Sequence, residues 1–389
     1  MSSSGTSLSS HAAPFTDTEV QAELRSLTRK FAENEIRPIV EADEESGTFR
    51  PEIIAKLGSL GLTGIPVPEA YGGAGLGYAE YAVVIEELAR VSCAYAISVA
   101  VTGLPQMILA SAGTEEQKKR FIPRLSSGEA IGAFSLSEAS SGSDAGSLRT
   151  TAKRDGEHYV LNGTKLWTTQ ADSAETLLLM ARTGGLGASG VSAFIVEKGM
   201  PGMTMGKRER KMGLHISHTM EVLLENVRVP VENRVGAEGE GFKVAMTALN
   251  GGRITIAATG VGVARAALEV AVKHSKEREQ FGQPIAEFQG ISFLIAEMQT
   301  EIDAADLLVR RAAALRDAEK PFAVEASMAK LFATDTAMRV ATDCVQILGG
   351  SGYTQDFPVE RYMREAKILQ IVEGTNQIQK VIIARSLTK

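Results

Sequence analysis

Apolar residues recur at the spacing of one helix face through the first third of the chain, over residues 18–132. Leu24 and Leu27 illustrate this period, and a more apolar helix is predicted over about residues 94–112. We therefore expect an N-terminal α-helical domain over residues 16–132.

Short apolar runs, the pattern of β-strands, replace the helical period over residues 133–235. Asn162 and Gly163 form a dipeptide typical of a two-residue hairpin turn. The predicted strands cover residues 158–161, 165–169, 176–182, 191–196 and 220–224. These runs predict a middle β-domain, a small barrel or sandwich, over residues 133–240.

Helical spacing returns after Gly241 in longer segments, over residues 242–278, 288–316 and 322–348. Such lengths, interrupted by short Gly or Pro breaks, predict a C-terminal helical bundle domain over residues 241–389. Helices followed by strands and then by helices indicate an α+β multi-domain architecture rather than alternating βαβ units.

Composition and charge exclude some classes of function. The chain has 389 residues, of which 44% are hydrophobic, so it is long enough for a sizeable core. Its formal net charge is -6 at pH 7, and no basic stripe is interleaved with aromatic residues, which argues against a nucleic-acid partner. No apolar run is expected to reach membrane-spanning length, so we expect no membrane partner.

The N-terminal residues and the cysteines bear on location. Residues 1–15 are rich in Ser and contain no Lys or Arg, so we expect a disordered tail rather than a signal or transit peptide. Cys93 and Cys344 lie in apolar surroundings, which is typical of buried free thiols in a reducing compartment. A cytoplasmic location is therefore the expectation.

Two motifs are expected to carry no chemistry. Residues 185–190 match a dinucleotide-binding pattern, but a predicted strand follows where that mechanism requires a helix, so we interpret them as a surface hairpin loop. His215 and His218 have no cluster of Cys or carboxylates nearby, and structural zinc sites have about four ligands, so no metal site is predicted.

The C-terminal segment carries a candidate for acid–base chemistry, Glu373, which stands between Val372 and Gly374. A carboxylate among apolar neighbours loses hydration, which raises its pKa and makes it a better proton acceptor near neutral pH. The glycine allows close approach of backbone or ligand. On this segment alone, Glu373 is either a buried base or an ordinary helix-capping residue.

Residues 134–144 concentrate hydroxyl groups and glycine-permissive turns where the helical pattern gives way to strands. Such a loop suits a planar ligand with several hydrogen-bond acceptors, such as an isoalloxazine ring, or is an ordinary Ser/Gly loop. Trp167, the chain's only tryptophan, precedes two threonines on a predicted strand. It either stacks on a flat ligand, with a Thr hydroxyl at a ring nitrogen, or packs in the core.

Together these motifs resemble those of the acyl-CoA dehydrogenase family, flavoenzymes that introduce an α,β double bond into acyl-CoA thioesters. The resemblance covers residues 16–385 and rests on collinear segments at residues 134–144, 162–169, 278–282, 346–350 and 372–375. It implies an N-terminal helical domain, a middle β-domain and a C-terminal four-helix domain. It also implies FAD, an acyl-CoA substrate, an electron-transferring flavoprotein as electron acceptor, a homotetramer built as a dimer of dimers, and a role in fatty acid β-oxidation.

The resemblance assigns the cofactor contacts residue by residue. On the flavin side the implied contacts are Phe134, Leu136, Ser137, Gly142, Ser143, Trp167, Thr168 and Thr169. On the diphosphate and adenosine side, at a subunit contact, they are Arg278, Gln280, Phe281, Gln289, Gln346, Ile347, Gly349 and Gly350. Thr375 and Gln377 are implied to close the site. Trp167 would pack on the ring system, and Thr169 would reach flavin N5.

The same resemblance makes Glu373 the base that removes the α-proton of the thioester. Its backbone N–H and a flavin ribityl hydroxyl would bind the thioester oxygen, and hydride would pass from Cβ to flavin N5. The implied contacts with the substrate are Ser143, Asn250, Arg253, Gly374 and Arg385. Some relatives carry the base on the first long C-terminal helix; the matching residue here is Gly252, which cannot act as a base.

Some residues depart from the family pattern. Val372 replaces a Tyr found in many relatives before the base, which predicts a pocket that tolerates a short or 2-methyl-branched acyl chain. Asn250 replaces Asp, which leaves the CoA contacts open, and Ala139 replaces Pro, which leaves the rigidity of the loop over residues 134–144 open. No Arg occurs in residues 91–103, which disfavours dicarboxylic substrates.

The sequence leaves other functions open. One is a flavin-dependent acyl-CoA oxidase that returns electrons to O2. Another is a desaturase that acts on an acyl group tethered to a carrier protein. A non-enzymatic alternative is a flavin-bearing protein that serves as a binding or assembly partner.

Overall fold

The structure, a computed structural model, describes residues 16–388; the tail predicted for residues 1–15 lies outside the described residues. Helices fill the N-terminal part of the chain. They are α1 (Glu19–Phe31), α2 (Val40–Ser46), α3 (Pro51–Ser59), α4 (Tyr78–Ala89), α5 (Cys93–Ala112) and α6 (Glu115–Ser126). A π-helical turn, Ala32–Ile36, follows α1.

Side-chain caps start several of these helices. Thr18 and Gln21 form a capping box at the start of α1, and α6 begins with a second one. At the start of α5, the Ser92 hydroxyl accepts a hydrogen bond from the Tyr95 amide. The caps mark the helix boundaries, so the apolar helix predicted over residues 94–112 is confirmed as α5.

A single sheet forms the middle of the chain. Its strands are β1 (Gly132–Ser135), β2 (Thr151–Asp155), β3 (His158–Thr169), β4 (Thr176–Arg182), β5 (Val191–Glu197), β6 (Met203–Arg208), β7 (Thr219–Pro230) and β8 (Arg234–Val235). They form an 8-stranded sheet in the order β6-β7-β3-β2-β4-β5-β8, and β1 runs parallel to β4 with Phe134 opposite Leu178. The loop after β1 therefore leaves from the interior of the sheet.

The hairpin turn predicted at Asn162 and Gly163 is wrong. β3 runs through both residues as one strand, and its register against β7 shifts there. The turn between β2 and β3 lies instead at Gly156, whose φ is 58°. A Cβ on Gly163 would lie 2.5 Å from Thr150 Oγ1, so this glycine permits close packing inside the sheet.

Long helices form the C-terminal part of the chain. They are α7 (Gly241–Glu277), α8 (Gln289–Asp317), α9 (Ala323–Leu348), α10 (Val359–Leu369) and α11 (Asn376–Thr388), with a small hairpin of β9 (Glu279–Gln280) and β10 (Gln283–Pro284) after α7. α7 contacts five other helices, α4, α5, α8, α9 and α10. A Cβ on Gly262 would lie 2.3 Å from Glu86 O, so α7 and α4 pack at close range.

Two helices contradict the expectation that no apolar run reaches membrane-spanning length. α5 and α7 contain windows with mean hydropathy of 1.6 and 1.4, enough by length and composition alone for a membrane span. In both helices 83% of the window is buried inside the protein, which is typical of core helices.

The predicted buried thiols are confirmed. Cys93 on α5 and Cys344 on α9 are both buried and free. Burial raises the pKa of both thiols, so neither is a reactive thiolate at neutral pH.

Candidate active site

Glu373 lies in the turn between α10 and α11. Its φ is 56° and that of Gly374 is 90°, so two successive residues adopt left-handed backbone conformations. For a residue other than glycine this costs on the order of 1 kcal/mol and persists only where surrounding contacts hold it. The Asn376 amide donates to Gln370 O at 3.0 Å and closes the turn. We call residues 372–375 the Glu373 turn.

The Glu373 carboxylate lies directly against α7 at Gly252. A Cβ on Gly252 would come within 2.7 Å of Glu373 Oε2 and 3.0 Å of Oε1. Oε2 is buried, and within residues 16–388 it has no hydrogen-bond partner. A shielded carboxylate oxygen without a protein partner is available to a ligand.

Burial raises the pKa of Glu373 to about 7, and the positive charges of Arg253 and Lys330 partly oppose this shift. The residue retains some exposed surface, but its Oε2 is shielded, and desolvation acts on that oxygen. Glu373 does not cap α11, because the Ile378 amide donates to Thr375 Oγ1 at 3.4 Å. Of the two interpretations of Glu373, the geometry therefore favours a buried base.

Arg253 ties α7 to the Glu373 turn. Its side chain is buried, its Nε donates to Glu373 O at 3.4 Å, and its Nη1 donates to Asn250 Oδ1 at 2.6 Å. Burial lowers the pKa of Arg253, while the Glu373 charge opposes that change. The structure thus brings together four predicted site residues, namely Glu373, Gly374, Asn250 and Arg253.

Lys330 on α9 belongs to the same cluster, and the sequence reasoning missed it. The residue is completely buried, and its Nζ donates to Gly374 O at 3.0 Å and to Asn376 Oδ1 at 2.8 Å. Lysine is rarely buried without a partner. The signal in the sequence was the position of Lys330 on the helix face that also carries the buried residues Ala326 and Ala333.

The loop over residues 134–144, here called the flavin loop, is fastened to β3. The Leu166 amide donates to Ser137 O at 2.9 Å, and the hydroxyls of Ser135 and Thr168 lie 2.9 Å apart. The structure therefore brings the start of the flavin loop next to residues 167–169. Thr168 itself is buried, and its hydroxyl is engaged with Ser135 rather than open to a ligand.

A buried ion pair, which the sequence reasoning also missed, attaches the flavin loop to β3. Lys165 Nζ donates to Glu138 Oε1 at 2.8 Å and to Leu136 O at 3.0 Å, and both charged side chains are buried. The Glu138 carboxylate also accepts the backbone amides of Arg149 and Thr150 at 2.6 and 2.9 Å. Burial lowers the pKa of Lys165 to about 8, and the Glu138 charge opposes the shift.

Trp167 projects from a β-bulge. The register of β3 against β7 advances from Lys165/Val222 to Thr168/Met220, which leaves one extra residue on β3. Trp167 has a φ of 57° there, and 54% of it is exposed. Of the two interpretations of Trp167, a core tryptophan is wrong.

Several predicted cofactor residues lie outside the cluster around Glu373 in this single chain. Arg278, Gln280 and Phe281 follow α7, and Phe281 is 95% exposed. The exposed residues Gln289, Gln346, Gly349 and Gly350 lie at the start of α8 and the end of α9. Ile347 is buried, so its side chain is not open to a ligand.

The remaining predicted residues occupy three places. Gly142 and Ser143 are exposed in the flavin loop, and an added Cβ on Gly142 would meet nothing within 4 Å. Thr169 is half-buried at the end of β3. Gln377 and Arg385 are exposed on α11. Sharing of the outlying residues with a second subunit stays a prediction.

Tyr78 at the start of α4, which the sequence reasoning missed, fills the space beside the Glu373 cluster. A Cβ on Gly251 would lie 2.5 Å from the Tyr78 hydroxyl, one residue before the glycine that faces Glu373. The Tyr78 ring packs edge-on against the Tyr81 ring, with the two ring centroids 5.7 Å apart. The Arg316 guanidinium lies 4.1 Å from the centroid of the Tyr78 ring. Burial raises the pKa of Tyr78.

The two motifs from which no chemistry is expected are the pair His215 and His218 and the glycine-rich residues 185–190. His215 Nδ1 lies 3.1 Å from Glu44 O, and His218 Nδ1 lies 2.5 Å from Asp172 Oδ2. No group of three or more His, Cys, Asp or Glu in residues 16–388 could hold a metal ion. Residues 185–190 connect β4 to β5 as the predicted surface loop, with Leu186 91% exposed.

Family models of the acyl-CoA dehydrogenases match the chain in three consecutive parts. The N-terminal domain matches residues 18–129, the middle domain residues 133–227 and the C-terminal domain residues 239–388. An acyl-CoA dehydrogenase of Bacillus subtilis (strain 168) is 49% identical over 372 residues, which cover 95% of this chain and 98% of the relative.

Two solved structures are similar throughout. Butyryl-CoA dehydrogenase from Megasphaera elsdenii superposes with a TM-score of 0.95 at 43% identity, covering 96% of this chain and 100% of that one. A chain from a structure of the electron transferring flavoprotein of Acidaminococcus fermentans has a TM-score of 0.95 at 46% identity, covering 96% and 99%.

These matches confirm the predicted order of a helical, a β-sheet and a second helical domain. The chain belongs to the acyl-CoA dehydrogenase family of flavoprotein oxidoreductases.

Proposed function

We propose that this protein is an FAD-dependent acyl-CoA dehydrogenase in which Glu373 removes the α-proton of a short or branched acyl-CoA thioester to give the trans-2-enoyl-CoA. The observation that carries the proposal is the Glu373 carboxylate, which lies against Gly252 with a buried Oε2 that has no partner within residues 16–388. Its pKa of about 7 suits a base that works near neutral pH.

Removal of an α-proton places negative charge on the thioester oxygen, which needs a hydrogen-bond donor. Within residues 16–388 the Glu373 amide N–H makes no hydrogen bond to a backbone carbonyl. The same residue therefore offers both the base and one donor for the oxygen. Arg253 and Lys330 supply positive charge on the protein side of the turn.

The flavin loop fits a planar cofactor. Trp167 is half-exposed at the β-bulge beside the loop, and the space around Gly142 is open. Ser137 and Thr169 are the hydroxyl-bearing residues that would hold the ring, with Trp167 against it. When bound there, FAD supplies the acceptor for the hydride that leaves Cβ.

A short acyl chain is the proposed substrate class. Tyr78, buried and within electrostatic reach of Glu373, packs edge-on against the buried Tyr81 ring and limits the space on this side of the cluster. The similar protein from Megasphaera elsdenii is named a butyryl-CoA dehydrogenase. Val372, smaller than the Tyr found in many relatives, leaves room for a 2-methyl branch. Ser143, Asn250, Arg253, Gly374 and Arg385 remain the proposed contacts with the CoA ester.

An electron-transferring flavoprotein is the proposed electron acceptor, because a chain 46% identical to this one belongs to a structure of such a protein. We also propose the dimer of dimers, since the exposed residues Phe281, Gln346 and Gly350 would then reach a cofactor held by another subunit. A role in fatty acid β-oxidation and a cytoplasmic location belong to the same proposal.

The test is anaerobic reduction of the protein-bound flavin by straight-chain, branched and dicarboxylic acyl-CoAs. Rapid loss of visible flavin absorbance with butyryl- or isobutyryl-CoA is expected. Reduction by medium straight chains at equal or higher rate would exclude the short or branched preference. A flavin that no CoA ester reduces would favour a carrier-protein substrate or a non-catalytic role.

Glu373→Gln separates chemistry from binding. Since general-base catalysis contributes about 10²–10⁴-fold, the variant is expected to lose at least that factor in flavin reduction. Its FAD content and its affinity for a CoA thioester should stay unchanged. Normal turnover would remove Glu373 from the mechanism.

Transfer of electrons to O2 as fast as to an electron-transferring flavoprotein would make the protein an oxidase.

A further inference from the structure

Lys330 is the completely buried cation beneath the Glu373 turn. Its ammonium group donates to Gly374 O at 3.0 Å and to Asn376 Oδ1 at 2.8 Å, so it joins the turn to the first residue of α11. The side-chain nitrogen of Asn376, Nδ2, donates to Asp335 Oδ1 at 2.7 Å and to Thr334 Oγ1 at 3.0 Å. The acceptor oxygen of Asn376 is thereby oriented toward Lys330.

The turn next to Lys330 needs such support because Glu373, a residue other than glycine, has a positive φ. Two further donors act on the carbonyl groups of the turn: Gln379 Nε2 donates to Gly374 O at 2.7 Å, and Arg253 Nε donates to Glu373 O at 3.4 Å. Arg253 and Lys330 are the charged members of this set. A buried ammonium group offers strong hydrogen bonds and a charge close to the carboxylate.

The titratable and charged groups around Lys330 come from several elements. Glu373 faces it from the turn, Arg253 from α7 and Asp335 from α9 itself, while Tyr78 on α4 lies within electrostatic reach of Glu373. α11 contributes only the uncharged Asn376 and Gln379 to this cluster of contacts. Lys330 and Arg253 are thus two cations that share Glu373 as their anionic neighbour.

We propose that Lys330 is a positioning residue for proton abstraction: it fixes the Glu373 turn through Gly374 and Asn376, and its charge keeps the Glu373 carboxylate ionised. The inference rests on the proposed role of Glu373 as the base. Lys330 acts through the turn and does not touch the substrate.

The charges agree with this geometry. Burial raises the pKa of Glu373, and Lys330 is one of two cations that lower it. Burial lowers the pKa of Lys330 to about 7, and Glu373 opposes that shift more than any other group. Loss of the ammonium group therefore removes a charge that favours the ionised base, so Glu373 should hold its proton to higher pH.

Two substitutions separate the charge from the hydrogen bonds. Lys330→Met removes both, whereas Lys330→Gln removes the charge and keeps a donor for Gly374 O. Lys380→Met is the matched control, because Lys380 is an exposed lysine on α11 close to the same turn. Each protein is loaded with FAD, and the pH profile of flavin reduction by butyryl-CoA is recorded together with FAD content and thioester affinity.

For both Lys330 variants, the acid limb of the pH profile is expected to move up by about one pH unit. Lys330→Gln should regain nearly full rate at high pH, whereas Lys330→Met should keep a residual loss of about tenfold or more, since its turn lacks the donor at position 330. Lys380→Met should follow the parent protein. An unmoved acid limb in Lys330→Gln, with FAD and thioester bound normally, would overturn the proposal.

A second readout does not need turnover. Infrared difference spectra between each protein and its Glu373→Gln counterpart report the protonation of the Glu373 carboxyl group directly. The midpoint of the Glu373 titration should move to higher pH in both Lys330 variants. The same midpoint in the parent protein and in both variants would contradict the inference. If no acyl-CoA reduces the flavin of the parent protein, the proposed function fails, but this titration still decides whether Lys330 controls the carboxyl group.

Discussion

The Glu373 carboxylate occupies the space that a side chain on Gly252 would need. A Cβ on Gly252 would lie 2.7 Å from Glu373 Oε2 and 2.8 Å from the carboxyl carbon. A base on the turn and a side chain on α7 at this position therefore exclude each other. The glycine is part of the site although it has no functional group.

Gly252→Ala should displace the carboxylate without unfolding the protein. Alanine is a better helix former than glycine by about 1 kcal/mol, which offsets part of the strain. A displacement of about 1 Å at a reacting group costs on the order of 100-fold in rate, so flavin reduction should fall by about that factor. Stopped-flow reduction by butyryl-CoA, with FAD content measured alongside, is the assay.

The control for this change is Gly185→Ala in the exposed loop between β4 and β5, where an added Cβ would meet nothing within 4 Å. It should leave the rate unchanged. A Gly252→Ala protein that reduces its flavin at the parent rate would show that the carboxylate has another place to lie, against the assignment made here.

Glu373 should also make stability depend on pH. Its folded pKa of about 7 is above the ordinary 4.5, so the folded state binds the proton more tightly than the unfolded state. The stabilising contribution is fully present below about pH 4.5 and is lost as pH rises through about 7. Glu373→Gln, which stays neutral, should therefore gain stability over the parent protein only at higher pH.

The expected gain is on the order of 1–3 kcal/mol in the free energy of unfolding at about pH 8, and close to zero at about pH 5. Urea denaturation of both proteins at the two pH values measures it. Equal differences at both values would mean that the Glu373 carboxyl group titrates normally in the folded protein.

The features that could be predicted from the sequence are those that depend on neighbouring residues. Glu373 stands next to Val372 and Gly374. These three adjacent residues were enough to predict that the carboxylate is buried and that backbone or ligand can approach it closely. The helix–sheet–helix order followed from a change of hydrophobic period along the chain. Such features depend on residues close in sequence.

The missed residues depend on distant ones. Lys330 bonds to Gly374, 44 residues away, and Lys165 bonds to Glu138, 27 residues away. The helix face of Lys330 indicates its burial, but the residues next to either lysine in the sequence do not identify its partner. The false hairpin turn at Asn162 and Gly163 has a similar origin, because pairing with β7 along the whole of β3 overrides the local turn preference.

Lys165→Met should damage the flavin loop more than the sheet. It leaves the Glu138 carboxylate buried without its cation, which typically costs about 3–5 kcal/mol of stability. Because Lys165 Nζ also holds Leu136 O at 3.0 Å, FAD content should fall as well. Flavin absorbance per protein and thermal unfolding are the measurements.

The exposed strand residue Lys153 provides the control. Lys153→Met should leave both quantities unchanged. The double change Lys165→Met with Glu138→Gln should recover part of the lost stability, since no buried charge is then unpaired. If it recovers none, the damage comes from lost packing rather than from the stranded carboxylate.

Tyr78 should limit the length of the acyl chain. Its hydroxyl lies beside Gly251, and its ring stands edge-on to Tyr81, so truncation opens space next to the Glu373 cluster. Tyr78→Ala is expected to raise the rate with octanoyl-CoA relative to butyryl-CoA by about tenfold or more, since each added methylene gains about 1–3 kcal/mol from a pocket that fits it.

Tyr353→Ala removes the same side chain from a position that is 88% exposed and should not change the ratio of the two rates. The ratio, not the absolute rate, is the readout, because a cavity at Tyr78 also lowers stability and reduces both rates together. Tyr78→Phe keeps the ring and should retain the parent preference. A Tyr78→Ala protein that folds, holds FAD and still prefers butyryl-CoA to the same degree would place the end of the acyl pocket elsewhere.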